Sequence, residues 1–183
     1  ISNTTLGLTE PTIVCEFDGP SSDGQFVGTS PFPLGQWNHI AITVDNGYLN
    51  IYQNGQNILG TNIEISISSI SDNVYIGSRG VFAGDDQYHL EGKIDDLKYW
   101  DSVLSNEEII EHYNCFEYND QSGLFSYWNF NEGSGTTVTD LSGNGNDGVI
   151  NGATFSEDVP ETNCPNCTSS DTISVSFLTE GCT

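Results

Sequence analysis

Basic side chains are almost absent: the 183 residues include 3 Lys and Arg against 26 Asp and Glu, a formal net charge of -23. Phosphate backbones are gripped by Lys and Arg, so the imbalance argues against nucleic acid as a partner. It argues against an anionic membrane surface for the same reason. No apolar run approaches the roughly 20 residues a membrane-spanning helix needs, so membrane insertion is not expected. Met is missing altogether, and the chain opens on "ISNTTLGLTEP" without a start residue or signal peptide. That opening reads as an internal piece of a longer, processed polypeptide. Self-repulsion on this scale is relieved by salt and divalent cations, which points to a secreted or cell-surface setting.

Catalytic patterns are scarce as well. His39, His89 and His112 have no recognisable nucleophile arrangement around them, and no G-x-S-x-G turn leads from a strand into a helix. We therefore expect no catalytic residues. Cysteine stands at positions 15, 115, 164, 167 and 182, an odd count that leaves one thiol unmatched within the chain. The "CPNC" at 164–167 lacks both a second Cys pair and a βαβ setting, so neither zinc nor thioredoxin-like chemistry is supported. Disulfides drawn from Cys115, Cys164, Cys167 and Cys182 fit better. Cys115–Cys164 with Cys167–Cys182 is one arrangement, and the spacing leaves the connectivity open.

What is present is strand periodicity. In "QWNHIAITVDNGYLNIYQNGQNI", Ile40, Ile42 and Val44 alternate on one face, and Leu49 and Ile51 repeat the pattern. Asn46-Gly47 and Asn54-Gly55 separate the runs, and Asn-Gly suits the positive φ angles of tight hairpins. A three-stranded antiparallel meander is predicted here. Further strands are predicted at 11–17, 63–67, 73–77 and 89–100, and two more in "LFSYWNFNEGSG" and "GVINGATF". One short helix is predicted at 105–113, where Ser105 and Glu108 form a capping box. Short strands, glycine turns and a single helix indicate an all-β antiparallel sandwich or jelly roll. From Glu161 the composition turns to that of a linker, so residues 1–160 are expected to form one sandwich closed by 122–160. Residues 161–183 would be a cysteine-containing linker and the start of a further module.

The ordered motifs "GQWNHIAITVDNGYLNIYQNG", "NVYIG" and "LEGKIDDLKYWDSVLSNEEIIEHY" resemble the laminin-G-like and pentraxin-like branch of the concanavalin A-like jelly rolls. Residues 123–155 resemble a second hallmark of that family, one that commonly opens a domain and here follows the helix. Similar text is found in secreted bacterial multidomain surface proteins. Only about thirty-five residues precede the W-x-H-x-A strand, fewer than the family's usual complement. An incomplete sheet edge would invite strand addition by another polypeptide.

The resemblance implies calcium held between a Gly/Asn/Asp loop and an acidic residue of the core strand. Matched onto this chain, that role falls to Asp140, Asn144 and Asp147 of "DLSGNGNDG" and to Asp95 of "GKIDDLKYW". Alternation puts Asp95 with Leu97 and Tyr99, and a carboxylate turned into a core needs a cation or hydrogen-bond donors. Calcium takes six to eight oxygens, which such a loop can offer. Equally, the loop could be a tight turn, with Asp95 accepting backbone N–H groups. An EF-hand is rejected, because position twelve is Asn151 and no helices flank the loop. Asp85, Asp86 and Gln87 form a second acidic loop at the place where pentraxin-like relatives carry ligand-binding calcium, and an ordinary solvated loop is its plainer reading. Trp37, Trp100 and Trp128 sit in strand motifs that the family packs into its core, leaving Phe82, Tyr88 and Tyr118 as sugar-platform candidates. Related glycoside hydrolases use E-x-D-x-x-E on one strand. "CEFDGPS" supplies Glu16 and Asp18 without the third acid.

These features predict a non-catalytic, calcium-stabilised extracellular module that binds glycans or protein surfaces in adhesion or targeting. Its partners would be a glycan or cell-surface protein and the neighbouring modules or subunits. Two other readings stay open: a structural repeat of a surface fibre or layer joined through sheet edges, and an accessory module of a secreted glycosidase or protease.

Overall fold

The computed structural model describes residues 12–18, 23–62, 74–78, 90–115 and 122–161. Among these residues the secondary structure is mostly antiparallel strands with one helix. The chain divides into two compact units, Ile1–Ile94 and Asp95–Thr183.

In the first unit, β1 (Thr12–Asp18) and β2 (Asp23–Pro31) form a hairpin in which Cys15 stands opposite Phe26. The expected meander follows as β3 (Ile40–Asp45), β4 (Tyr48–Gln53) and β5 (Gln56–Asn62), in that order across the sheet. Both Asn-Gly pairs adopt positive φ: 46° and 78° at Asn46 and Gly47, 50° and 75° at Asn54 and Gly55. These are the angles of a type I′ turn, whose twist matches that of the flanking strands. The turns fix the register, placing Val44 opposite Leu49 and Ile42 opposite Ile51. On the central strand Leu49 and Ile51 are completely buried, each worth about 1.5–3 kcal/mol of hydrophobic stabilisation.

The second unit is built around β6 (Leu97–Trp100) paired antiparallel with β7 (Leu124–Trp128), with Lys98 opposite Tyr127. Between them runs α1 (Asn106–Asn114). Its N-terminus carries the expected capping box: the Ser105 N–H donates to Glu108 Oε2 at 2.6 Å, and the Glu108 N–H donates back to Ser105 Oγ. Ile109 and His112 form the buried face of α1, and the His112 ring lies 5.2 Å from that of Trp100. Two short strands, β8 (Thr137–Val138) and β9 (Gly148–Val149), pair across the 140–148 loop.

Three strand expectations change. The strand expected at 89–100 is confined to 97–100, because Asp96 takes a left-handed φ of 48°, which ends the alternation there. Residues 74–77 carry no strand, and Val74 and Tyr75 are exposed. "GVINGATF" contributes only the two residues of β9. The expected strand at 63–67 and most of the expected linker at 161–183 lie outside the described residues.

Candidate functional site

Among the described residues of the second unit, the loop between β8 and β9 carries a dense set of polar hydrogen bonds, and its carboxylates point at backbone. Asp140 is buried, at 6% exposure. Its Oδ1 accepts the Tyr127 N–H at 2.9 Å and the Ser142 N–H at 3.0 Å, and its Oδ2 accepts the Asn146 N–H at 2.9 Å. Burial alone would raise its pKa, but the donors from Tyr127, Asn146 and Ser142 outweigh it and hold the group at about 2. Asp147 in turn accepts the Asp140 N–H on Oδ1 at 2.9 Å.

The two asparagines of the loop act as donors towards β7. Asn144 Nδ2 donates to the carbonyls of Leu124 (3.2 Å) and Phe125 (3.0 Å). Asn146 Nδ2 donates to the Phe125 carbonyl and to the buried hydroxyl of Ser126. Ser142 Oγ adds a third donor to Phe125 O, and the Leu141 N–H donates to Tyr127 O at 2.8 Å. Trp128 closes the circuit from the strand side, its Nε1 donating to Asn146 O at 2.9 Å.

At the other end, Asp95 and Asp96 diverge. Asp95 Oδ1 accepts the N–H of Asp96. Desolvation, followed by the neighbouring Asp96 charge, pushes Asp95 up to about 6. Tyr127 donates its hydroxyl to Asp96 Oδ1 at 2.5 Å, and Lys98 Nζ sits 4.8 Å from the centre of the Tyr127 ring. Desolvation raises the Asp96 pKa against the opposing pull of Tyr127 and Lys98.

The calcium set implied by resemblance, Asp95, Asp140, Asn144 and Asp147, does not fit one oxygen cage in this arrangement. Asp140 spends both oxygens on three N–H groups, Asn144 turns its N–H donors towards β7, and Asp147 and Asp95 each hold a backbone N–H. Among the described residues no group of three or more His, Cys, Asp or Glu side chains is placed to hold a metal ion. The residue that joins the two acidic regions is Tyr127, through its N–H to Asp140 and its hydroxyl to Asp96. Sequence reading missed it, although its place in "SYWNF" beside Trp128 offered a signal. Trp37, Trp100 and Trp128 are half-buried rather than fully enclosed, and Trp37 precedes β3 instead of lying in it. Asp85, Asp86, Gln87, Phe82, Tyr88 and Tyr118 lie outside the described residues. So do Cys164, Cys167 and Cys182, while Cys115 closes α1 with its N–H on the Glu111 carbonyl at 2.8 Å.

Comparison with known proteins gives a family and a fold neighbour. The family model of the concanavalin A-like lectin/glucanases superfamily matches residues 5–110. A candidate carbohydrate binding protein from Bacteroides ovatus ATCC 8483 is similar in structure, with a TM-score of 0.61 and 25% identity over 80% of this chain. The match spans 42% of that protein's length. An S-layer domain-containing protein from Clostridium thermocellum ATCC 27405 (residues 221–444) aligns at a TM-score of 0.41 and 25% identity, covering 56% of this chain and 50% of the other. No curated protein matches the chain. No helix among the described residues is long and apolar enough to cross a membrane. With more than half of its length matched by the family model, the chain belongs to the concanavalin A-like lectin/glucanase superfamily.

Proposed function

We propose that the chain is a non-catalytic glycan-binding module of a secreted or surface-anchored protein, acting in adhesion or targeting. The observation that carries this reading is the family match over residues 5–110, supported by similarity to the Bacteroides ovatus candidate carbohydrate binding protein. The proposed architecture is one closed jelly roll over residues 1–160. The sparse basic complement fits neutral or amino sugars better than sulfated ones, since a chain of net charge -23 repels polyanions. Calcium does not enter the proposed binding mode, because the loop's candidate ligands already serve main-chain donors and acceptors.

The test is a glycan array probed with purified protein in EDTA and, separately, in calcium. Saturable retention on neutral polysaccharides in both buffers, displaced by free oligosaccharide and without release of reducing ends, is the expected result. Retention of nothing at micromolar protein would remove the glycan from the proposal. Hydrolysis of the retained polymer would remove its non-catalytic character.

A further inference from the structure

β7 has two edges. One is paired with β6. Along the other run Phe125 O, Tyr127 N and Tyr127 O, the polar row that on a bare strand accepts a foreign strand. Each of those three groups is engaged by the 140–146 segment: Phe125 O by the side chains of Ser142, Asn144 and Asn146, Tyr127 N by Asp140, and Tyr127 O by the Leu141 N–H. Only the last of these bonds is of the main-chain kind found in a sheet. The others come from side chains that imitate a neighbouring strand. Gly143 and Gly145, with φ of 84° and 79°, bend the segment back on itself while Asn144 and Asn146 reach the strand.

We infer that the 140–148 loop is an edge guard for β7, latched by Asp140 and closed without a cation, which keeps a second copy of this chain from pairing there. The three N–H groups on Asp140 supply what a bound ion would otherwise supply, a compensated buried charge. The residues beside the latch are chosen to donate: two asparagines and a serine face carbonyls, where aspartates would repel them. Lost cohesion here exposes strand edge, so the consequence of opening is self-association rather than mere loosening.

The experiment compares the full chain with Asp140→Ala and with the milder Asn144→Ala, each in EDTA and in calcium. The readouts are thermal melting and concentration-dependent light scattering or sedimentation. The expected result is that EDTA leaves the parent's melting temperature unchanged. Asp140→Ala should lower it by about 10 °C, and both variants should sediment as concentration-dependent assemblies under conditions where the parent does not. Asn144→Ala keeps the latch and removes only the three bonds donated by its amide, to Leu124 O, Phe125 O and Ser142 Oγ, so it answers the question even where Asp140→Ala does not fold. Variants that melt as the parent does and keep its sedimentation would overturn the guard. A parent destabilised by EDTA and restored by calcium would overturn the latch and return the loop to a cation site.

Discussion

Two segments of this chain are rich in Asn and Gly and sit between short strands, yet they are held in opposite ways. The Asn46-Gly47 turn closes by backbone geometry: both residues take positive φ, and the Asn46 amide donates only as far as the adjacent Asp45 at the surface. The 140–148 loop closes through side chains, with a buried carboxylate at its centre and amides reaching a strand about twenty residues earlier in sequence. Asn and Gly composition therefore reports bending and says nothing of what holds the bend. The difference lies in the acid. Asp45 is exposed at the mouth of its turn, whereas Asp140 is enclosed and surrounded by N–H donors.

The sharpest way to break this contrast is to remove one side chain from each segment. Asp140→Ala leaves three main-chain donors short of an acceptor and should cost about 3–4 kcal/mol in a urea titration. Asn46→Ala removes a residue tolerant of the left-handed region and one exposed bond to Asp45, and should cost about 1 kcal/mol. Comparable losses at the two sites would mean that side-chain bonding does not distinguish them. The Asp140 contribution also has a defined pH window. Its folded pKa of about 2 lies below the ordinary 3.8, so the stabilisation is complete above about pH 4 and disappears as the pH falls through 2.

A second variant probes the closing pair behind the loop. A Cβ on Gly148 would lie 2.6 Å from Cγ2 of the buried Val138 opposite it, so β8 and β9 approach closely only because that position is glycine. Gly148→Val should cost about 2 kcal/mol through overpacking, measured by the same titration. A loss well under 1 kcal/mol would show that β9 can move away freely, and that the loop is pinned by β7 alone.

The contrast also explains which parts of the structure were legible in advance. The meander, its two turns and the capping box of α1 rest on interactions between residues a few positions apart, and the sequence pattern states them directly. The strand expected at 89–100 misled because periodicity assumes an unbroken pleat, and Asp96 in the left-handed region breaks it. The loop was recognised as oxygen-rich and assigned to calcium by resemblance. Its actual bonds depend on which carbonyls of β7 come within reach, and a one-dimensional pattern does not contain that. Tyr127 was overlooked for the same reason: its two roles are served by a backbone N–H and a hydroxyl pointing at different partners.

The smallest effect concerns Asp95, the acidic residue that lies outside the loop and lacks its dense set of donors. Where Asp140 is held down to about 2 by surrounding N–H groups, Asp95 has one, from Asp96, and burial with the adjacent Asp96 charge raises it to about 6. A folded pKa above the ordinary 3.8 means that the charged form is disfavoured by folding. The penalty is absent below about pH 4, grows between 4 and 6, and is complete above 6. A shift of this size would be worth roughly 3 kcal/mol for an enclosed group, but Asp95 is only half-buried and solvent screening reduces this to about 1 kcal/mol or less. Asp95→Asn keeps the Oδ1 acceptor for the Asp96 N–H while deleting the charge. It should therefore stabilise the protein by up to that amount at pH 7.5 and leave it unchanged at pH 3.5, read as the difference in urea midpoint between the two pH values. Destabilisation at pH 7.5 would show that the charge on Asp95 is needed, as a cation ligand would be, and the two acidic regions would no longer differ in kind.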